Sequence, residues 1–208
     1  MDMRELKERL EHRTPCLMDA KRQCSVLVPL VERDGEFFVL YEVRALHMKH
    51  QPGEVCFPGG RNENGEGPEE CAVRETWEEL GIGQEQIQIL GRLDFIAHRA
   101  GFLMQPVLAV VDGAALEHMR RNPDEVEETF LVPLSYLMET EPLEYEYPLL
   151  PQPGETFPYE LVGVPRDYRW VPGRETVPVY PWKDHAIWGL TGRITRNLVQ
   201  FLNEIGLQ

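Results

Sequence analysis

The alternation of apolar and polar positions predicts short strands through most of the chain and a long helical period only near its end. Residues 24–31 (CSVLVPLV) and 36–44 (EFFVLYEVR) are rich in β-branched and aromatic side chains and flank Asp34-Gly35, which predicts a hairpin. Residues 45–59 hold Pro52, Gly53, Pro58 and Gly59 and read as a long loop ending in a short strand. Gly67-Pro68 then opens a helix, with Glu69 and Glu70 at the positive end of its dipole and Gly81 as its stop. Strands follow over 86–98 and 102–111, the second apolar enough for a central place in a sheet, then a short helix over 114–121 and a strand near 129–132. At the N-terminus the spacing of Leu6 and Leu10 marks an amphipathic helix, expected within residues 1–22. Nine of the 17 prolines fall from Pro142 to Pro181, so residues 142–184 are expected to form an irregular excursion with short strands rather than a second domain. A helical stripe returns over 185–205, with Ile187, Leu190, Ile194, Leu198, Phe201, Leu202 and Ile205 on one face. Strands flanked by helices predict an α/β or α+β sandwich, and 208 residues suit one domain over 1–208.

Charge narrows the classes of function. A formal net charge of -14 opposes binding to nucleic acid, and no basic patch offsets it. No apolar run of about 18 residues is present to span a membrane. The first residues, MDMRELKERLEHR, alternate in charge and do not read as a secretory signal. The last, NEIGLQ, carry neither a peroxisomal ending nor a prenylation box, so a cytoplasmic location is expected. Cys16, Cys24, Cys56 and Cys71 show no zinc spacing and are expected as free, buried small side chains. An anionic substrate of so acidic a chain needs local help, from metal ions held by surplus carboxylates and from a few well-placed cations.

The segment GRNENGEGPEECAVRETWEELGI, residues 60–82, supplies such carboxylates. Glu75, Glu78 and Glu79 stand at i, i+3 and i+4, so their side chains share one helix face. Three like charges there destabilise a helix unless something positive sits among them, and hard oxygen donors suit Mg²⁺ or Mn²⁺. Val73, Thr76, Trp77 and Leu80 repeat at helical spacing on another face, which is expected to pack on the sheet and turn the carboxylates outward. Residue types alone also fit a plain solvated helix face.

Spacing decides between the two. Gly60, Glu66, Arg74-Glu75, Glu78-Glu79, Gly81 and Ile82 resemble the complete Nudix box, with Thr76 a mild departure from its usual aliphatic. The resemblance implies an α/β/α sandwich with a mixed sheet flanked by helices and a loop-helix-loop that binds Mg²⁺ or Mn²⁺. By position it implies Glu75, Glu78 and Glu79 as metal ligands, with the Gly60 carbonyl as a further donor. Glu66, Arg74 and Gly81 then support the helix, and the base that activates water is Glu75 or Glu125 of the NPDEVEE loop.

Upstream, LYEVRALHMKHQPGEVCFPGG resembles the coenzyme A diphosphatase signature within that family through Arg44-Ala45, Gly53 and Phe57 to Gly60. Tyr41 and Glu42 replace the usual Leu-Thr, and Lys49 replaces an arginine, keeping the charge but not the bidentate fork. The resemblance implies hydrolysis of coenzyme A or a derivative to 3′,5′-ADP and a phosphopantetheine species. Arg44, Lys49, Gly53 and Phe57 would be its substrate-binding residues. ADP-ribose or NADH as substrate, and a nucleotide-sensing module without catalysis, remain open readings. The expected partner is a small diphosphate molecule, with no nucleic acid and no membrane, and a homodimer is left open by the resemblance.

Overall fold

The β-branched run that opens the core becomes a strand buried on both faces. Residues 25–31 of β1 (Arg22–Arg33) are all buried, as expected of a central strand with a parallel neighbour. In this computed structural model, which describes residues 2–13, 16–18 and 20–207, α1 (Met3–Glu11) precedes β1. There follow β2 (Glu36–Arg44), β3 (Val55–Cys56), β4 (Gly59–Arg61), α2 (Pro68–Leu80), β5 (Ile87–Arg92), β6 (Ile96–His98) and β7 (Phe102–Val111). The remainder is α3 (Ala115–His118), β8 (Val126–Pro133), α4 (Leu134–Glu139), β9 (Leu143–Leu149), α5 (Tyr159–Val162), β10 (Gly173–Trp182), β11 (His185–Ile187) and α6 (Gly189–Glu204).

The main sheet runs β3-β2-β1-β7-β5, with β4 added to β1, β6 to β7 and β8 to β2. β1 and β7 are parallel while the other pairs are antiparallel, so the sheet is mixed. Period-2 alternation sends Leu27, Val31 and Leu40 to one face, where Ala72 and Leu80 of α2 cover them. Val28, Leu30, Val39 and Tyr41 face the other way, against Leu137 of α4 and Ile194, Leu198 and Leu202 of α6. The result is the expected α/β/α sandwich.

One divergence in the sheet makes room for the site. The β1–β2 pairing runs from Arg33↔Glu36 to Leu30↔Val39 and ends there, beside Pro29, which has no N–H to donate. Beyond it β3 takes the edge of β2 that β1 leaves, at Glu42 and Val43, while β8 runs along the opposite edge of β2 from Phe38 to Arg44. The freed half of β1 pairs with β4, Ser25 opposite Gly60.

Three boundaries differ from the sequence reading. The N-terminal helix, expected within 1–22, covers only Met3–Glu11 and ends at His12. Its Leu6–Leu10 stripe buries nothing among the described residues, and a helix so short gains little without packing. Met1, Thr14, Pro15 and Asp19 of that range lie outside the described residues. Within the excursion expected over 142–184, β9 and β10 form a regular antiparallel ladder from Leu143↔Val179 to Leu149↔Gly173. β9 is an edge strand, where Pro148 is tolerated, so proline content overstated the irregularity. The terminal helix, expected from 185, starts at Gly189, because His185–Ile187 pair with β10 as β11. The four cysteines are free as expected, although only Cys71 is buried, Cys24 and Cys56 being half-buried and Cys16 exposed. Among the described residues no helix is long and apolar enough to cross a membrane.

Candidate active site

The glutamate helix is defined at both ends by local chemistry. Gly67 caps it, its N–H donating to the Glu70 carboxylate at 2.8 Å, with Pro68 in the first turn. Gly81 closes it in the left-handed region at φ 69°, its N–H on the Trp77 carbonyl. Its C-terminal turn is then held by a loop: Arg120 N–H donates to the Leu80 carbonyl at 2.9 Å and Asn122 N–H to the Glu79 carbonyl at 2.7 Å. The same loop reaches β2, since Ala45 N–H donates to the Glu125 carbonyl at 2.8 Å. Backbone bonds alone thus bring Glu125 to the helix and to the end of β2.

Arg74 is the positive centre of the motif. It takes Glu66 bidentately, at 2.7 and 3.1 Å, and reaches Glu75 and Glu78 at 3.0 Å each. The guanidinium, helped by the Glu63 N–H, pulls the Glu66 carboxyl down to about 2. Burial raises Glu75 against the opposing effect of Arg74. Glu79 lies outside this cluster. It is only 4% exposed, and Gly59 N–H donates to its Oε2 at 2.8 Å.

The glycine turn is built for close approach. A Cβ on Gly59 would lie 2.3 Å from the Ser25 carbonyl oxygen, and one on Gly60 would lie 2.3 Å from Glu75 Oε1. At Gly59 the obstacle is backbone and only glycine fits, whereas at Gly60 a side chain would displace the Glu75 carboxylate. The Gly60 carbonyl itself accepts from the Cys71 thiol at 3.8 Å.

The helix faces differ from the sequence expectation. Its buried side carries Pro68, Cys71, Ala72, Thr76, Glu79 and Leu80, whereas Trp77 is 60% exposed. The apolar stripe is therefore rotated, and it takes one carboxylate into the interior with it. Trp77 instead lines an open cavity of about 800 Å³ together with Glu78, His118, Arg120, Asn122 and Glu125.

One acidic residue of the site entered the sequence reading only as a departure from the signature, not as a site residue. Glu42 of β2 is 1% exposed, its Oε1 accepts from the Cys56 thiol at 3.2 Å, and its Oε2 has no hydrogen-bond partner. Burial holds both Glu42 and Glu79 well above the ordinary carboxylate range, and for Glu79 the charge of Glu42 is the next cause. The signal was in the sequence: a charged residue in the apolar run FFVLYEVR, on the same strand face as buried Leu40.

The remaining predicted residues lie on the loop. Arg44 is half-buried at the end of β2, and among the described residues its side chain hydrogen-bonds only the His50 carbonyl, at 3.4 Å. Lys49 is exposed, and Gly53 forms a tight turn at φ 72° with its N–H on the Arg44 carbonyl. Phe57 is buried and stacked on Tyr41 at 4.8 Å, so it anchors the glycine turn from within the core. Glu125 accepts from Asn122 Nδ2 at 2.9 Å, and its charge acts on Glu42, Glu75 and Glu79.

Among the described residues no three acidic, histidine or cysteine side chains converge tightly enough to define a metal site. The carboxylates form two groups, Glu66, Glu75 and Glu78 around Arg74, and Glu42 with Glu79 in the interior. The donor set nevertheless fits a hard divalent cation. It is all oxygen, it gathers more carboxyl groups than Arg74 engages, and Glu42 Oε2 lacks a partner among the described residues. A larger apolar cavity, about 870 Å³, lies between α6 and the far ends of β5 and β7 and touches none of these residues.

A mixed sheet between helices, with a braced glutamate helix docked on a glycine turn, places the molecule in the NUDIX domain class, whose family pattern matches residues 21–152. The chain belongs to the Nudix family. It is 42% identical over 122 residues to Nudix hydrolase 3 of Caenorhabditis elegans, covering 58% of this chain and 51% of that protein. Over 134 residues it is 35% identical to the peroxisomal coenzyme A diphosphatase NUDT7 of Mus musculus, covering 64% and 55%. Over 204 residues it is 30% identical to the mitochondrial coenzyme A diphosphatase NUDT8 of the same species, covering 97% and 88%. The chain thus spans about half the length of the first two relatives.

Proposed function

We propose that this protein is a metal-dependent diphosphatase that hydrolyses the diphosphate linkage of coenzyme A, or of a CoA derivative, to 3′,5′-ADP and the matching phosphopantetheine. The observation that carries the reaction class is the docking of the glutamate helix on the Gly59-Gly60 turn, with Glu79 accepting from Gly59 N–H and the Glu75 carboxylate lying against Gly60. In this reading Glu75, Glu78 and Glu79 hold Mg²⁺ or Mn²⁺, with the Gly60 carbonyl as a further donor. When bound there, such an ion would supply charge neutralisation for the diphosphate and would make water more acidic.

The chain's own groups do the rest. Arg74 fixes the helix carboxylates by holding Glu66, Glu75 and Glu78 together. Glu125, oriented by Asn122, or Glu75 takes the proton from the attacking water. Arg44 and Lys49 form no ion pair among the described residues, so their charge is free for substrate phosphates. The loop from Arg44 to Gly60 and the likeness to two coenzyme A diphosphatases support the coenzyme A class.

Product analysis tests the reading. CoA, acyl-CoA esters, NADH, ADP-ribose and nucleoside triphosphates are incubated with and without Mg²⁺ or Mn²⁺. Metal-dependent release of 3′,5′-ADP is expected from the CoA compounds at the highest kcat/KM. Absence of CoA cleavage refutes the substrate class, and turnover unaffected by chelation refutes the mechanism.

A further inference from the structure

Two acidic side chains sit in the interior at opposite ends of one short segment. The Cys56 thiol donates to Glu42 Oε1 at 3.2 Å, and three residues later Gly59 N–H donates to Glu79 Oε2 at 2.8 Å. Glu42 and Cys56 are register partners across β2 and β3, which fixes the sheet side of this arrangement. Leu40 packs in the layer that holds Ala72 and Leu80 of α2, and Glu42, two residues on, shares its face, so the carboxylate is directed at the helix. Glu79 approaches from that helix, and the charge of Glu42 acts on it.

Neither carboxylate has what a buried acid ordinarily has. Arg74 takes Glu66, Glu75 and Glu78 and leaves Glu79 out. Glu42 receives one weak thiol bond, and its Oε2, buried, has no partner among the described residues. The other charged groups that face the pair are Glu75 and Glu125, both negative, and Arg44, whose charge acts on Glu42 but which bonds only the His50 carbonyl. A buried charge is retained when it is paired or coordinates a metal. Cys56 is half-buried, and its thiol is engaged as the donor to Glu42.

We infer that Glu42 and Glu79 form a divalent-cation subsite between β2 and α2, in which Glu42 supplies a sheet-side oxygen ligand that the glutamate helix alone does not provide. Magnesium and manganese are the ions that an all-oxygen site of this kind takes. The inference rests on the reading of the glutamate helix as a metal centre and adds to it a ligand from outside the box. It also accounts for the glutamate at this position, where the resembling signature has threonine.

The test is Mn²⁺ binding to the whole chain, without substrate, by electron paramagnetic resonance and calorimetry. Wild type is compared with Glu42→Gln, Glu42→Thr and Glu79→Gln, and each is melted with and without Mn²⁺. Loss of one bound ion, or an affinity lowered by roughly 10- to 100-fold, is expected in both Glu42 variants. Their metal-free melting temperatures should equal or exceed that of wild type, while the rise produced by Mn²⁺ should shrink. Unchanged stoichiometry and affinity in Glu42→Gln, with loss in Glu79→Gln, overturns the role of Glu42 and leaves the helix reading standing. Wild type that binds no Mn²⁺ overturns both. The threonine variant, which removes the carboxylate altogether, decides the matter if glutamine fails to fold.

Discussion

Glu79 is where stability and the proposed chemistry pull apart. The side chain is buried with one backbone donor, and its carboxyl is raised first by burial and then by Glu42. Glu79→Gln should lower turnover by about 10²-fold or more, the scale of losing an essential ionisable group. The metal-free protein should melt no lower than wild type, since an amide oxygen still accepts from Gly59 and a buried acid beside other carboxyl groups is replaced by a neutral amide. Steady-state kinetics beside thermal melting checks both halves, and a variant with full metal-dependent rate removes Glu79 from the mechanism. Glu66 shows the opposite shift. Its carboxyl falls to about 2 through Arg74, so its contribution to stability is present above the ordinary value of 4.5 and is lost as pH falls through the folded value. Melting curves of wild type and Glu66→Gln should therefore differ most above pH 5 and converge toward pH 2. A constant gap across that range contradicts the assigned ion pair. The box spacing made both residues legible, but not that one carboxylate faces solvent and Arg74 while the other faces the sheet.

At the scale of elements, α6 is held over the site end of the sheet by a polar ladder as well as by its apolar stripe. Thr191 donates to the Val55 carbonyl at 2.9 Å, and Thr195 donates to the Thr191 carbonyl at 2.9 Å. With that hydrogen engaged, the Tyr41 hydroxyl donates to Thr195 Oγ1 at 2.9 Å. Tyr41 stacks on Phe57, which anchors the glycine turn. Helix, strand and turn are thus one packed unit. Leu198→Ala, at a fully buried position of α6, should cost about 2–5 kcal/mol. Thr191→Val should cost about 1 kcal/mol or more, because it leaves the Val55 carbonyl short of a donor. Chemical denaturation measures each, and a Leu198→Ala loss below 1 kcal/mol is inconsistent with this packing. The 3.6-residue stripe of α6 was readable from sequence. Its start was not, because His185–Ile187 is fixed by partners on β10 rather than by its own period. The ladder of β9 and β10 was hidden for a similar reason, since its prolines are acceptable only given the places the sheet assigns them.

The whole molecule carries a net charge of -14, which repels any anionic substrate at long range. If phosphates are received locally by metal and by Arg44 and Lys49, added monovalent salt should screen the repulsion before it weakens the close contacts. At fixed free Mg²⁺, kcat/KM for a CoA substrate is expected to rise as ionic strength goes from about 0.01 M to 0.1 M. A steep fall over that range points instead to a dominant positive surface at the site. What the sequence by itself determined is the local and periodic content: the hairpin about Asp34-Gly35, the central strand, the glutamate helix between its glycines, the sandwich class and the family. These follow from neighbouring residues whose spacing fixes which face each side chain takes. What only the tertiary structure decided is which way those faces turn and what meets them. The parting of β2 from β1 beside Pro29, the loop that carries Glu125 to the helix, the rotation that buries Glu79 and exposes Trp77, and the encounter of Glu42 with Glu79 are all contacts between segments far apart in the chain. Their energies come from packing and from burial of charge, which no local pattern encodes.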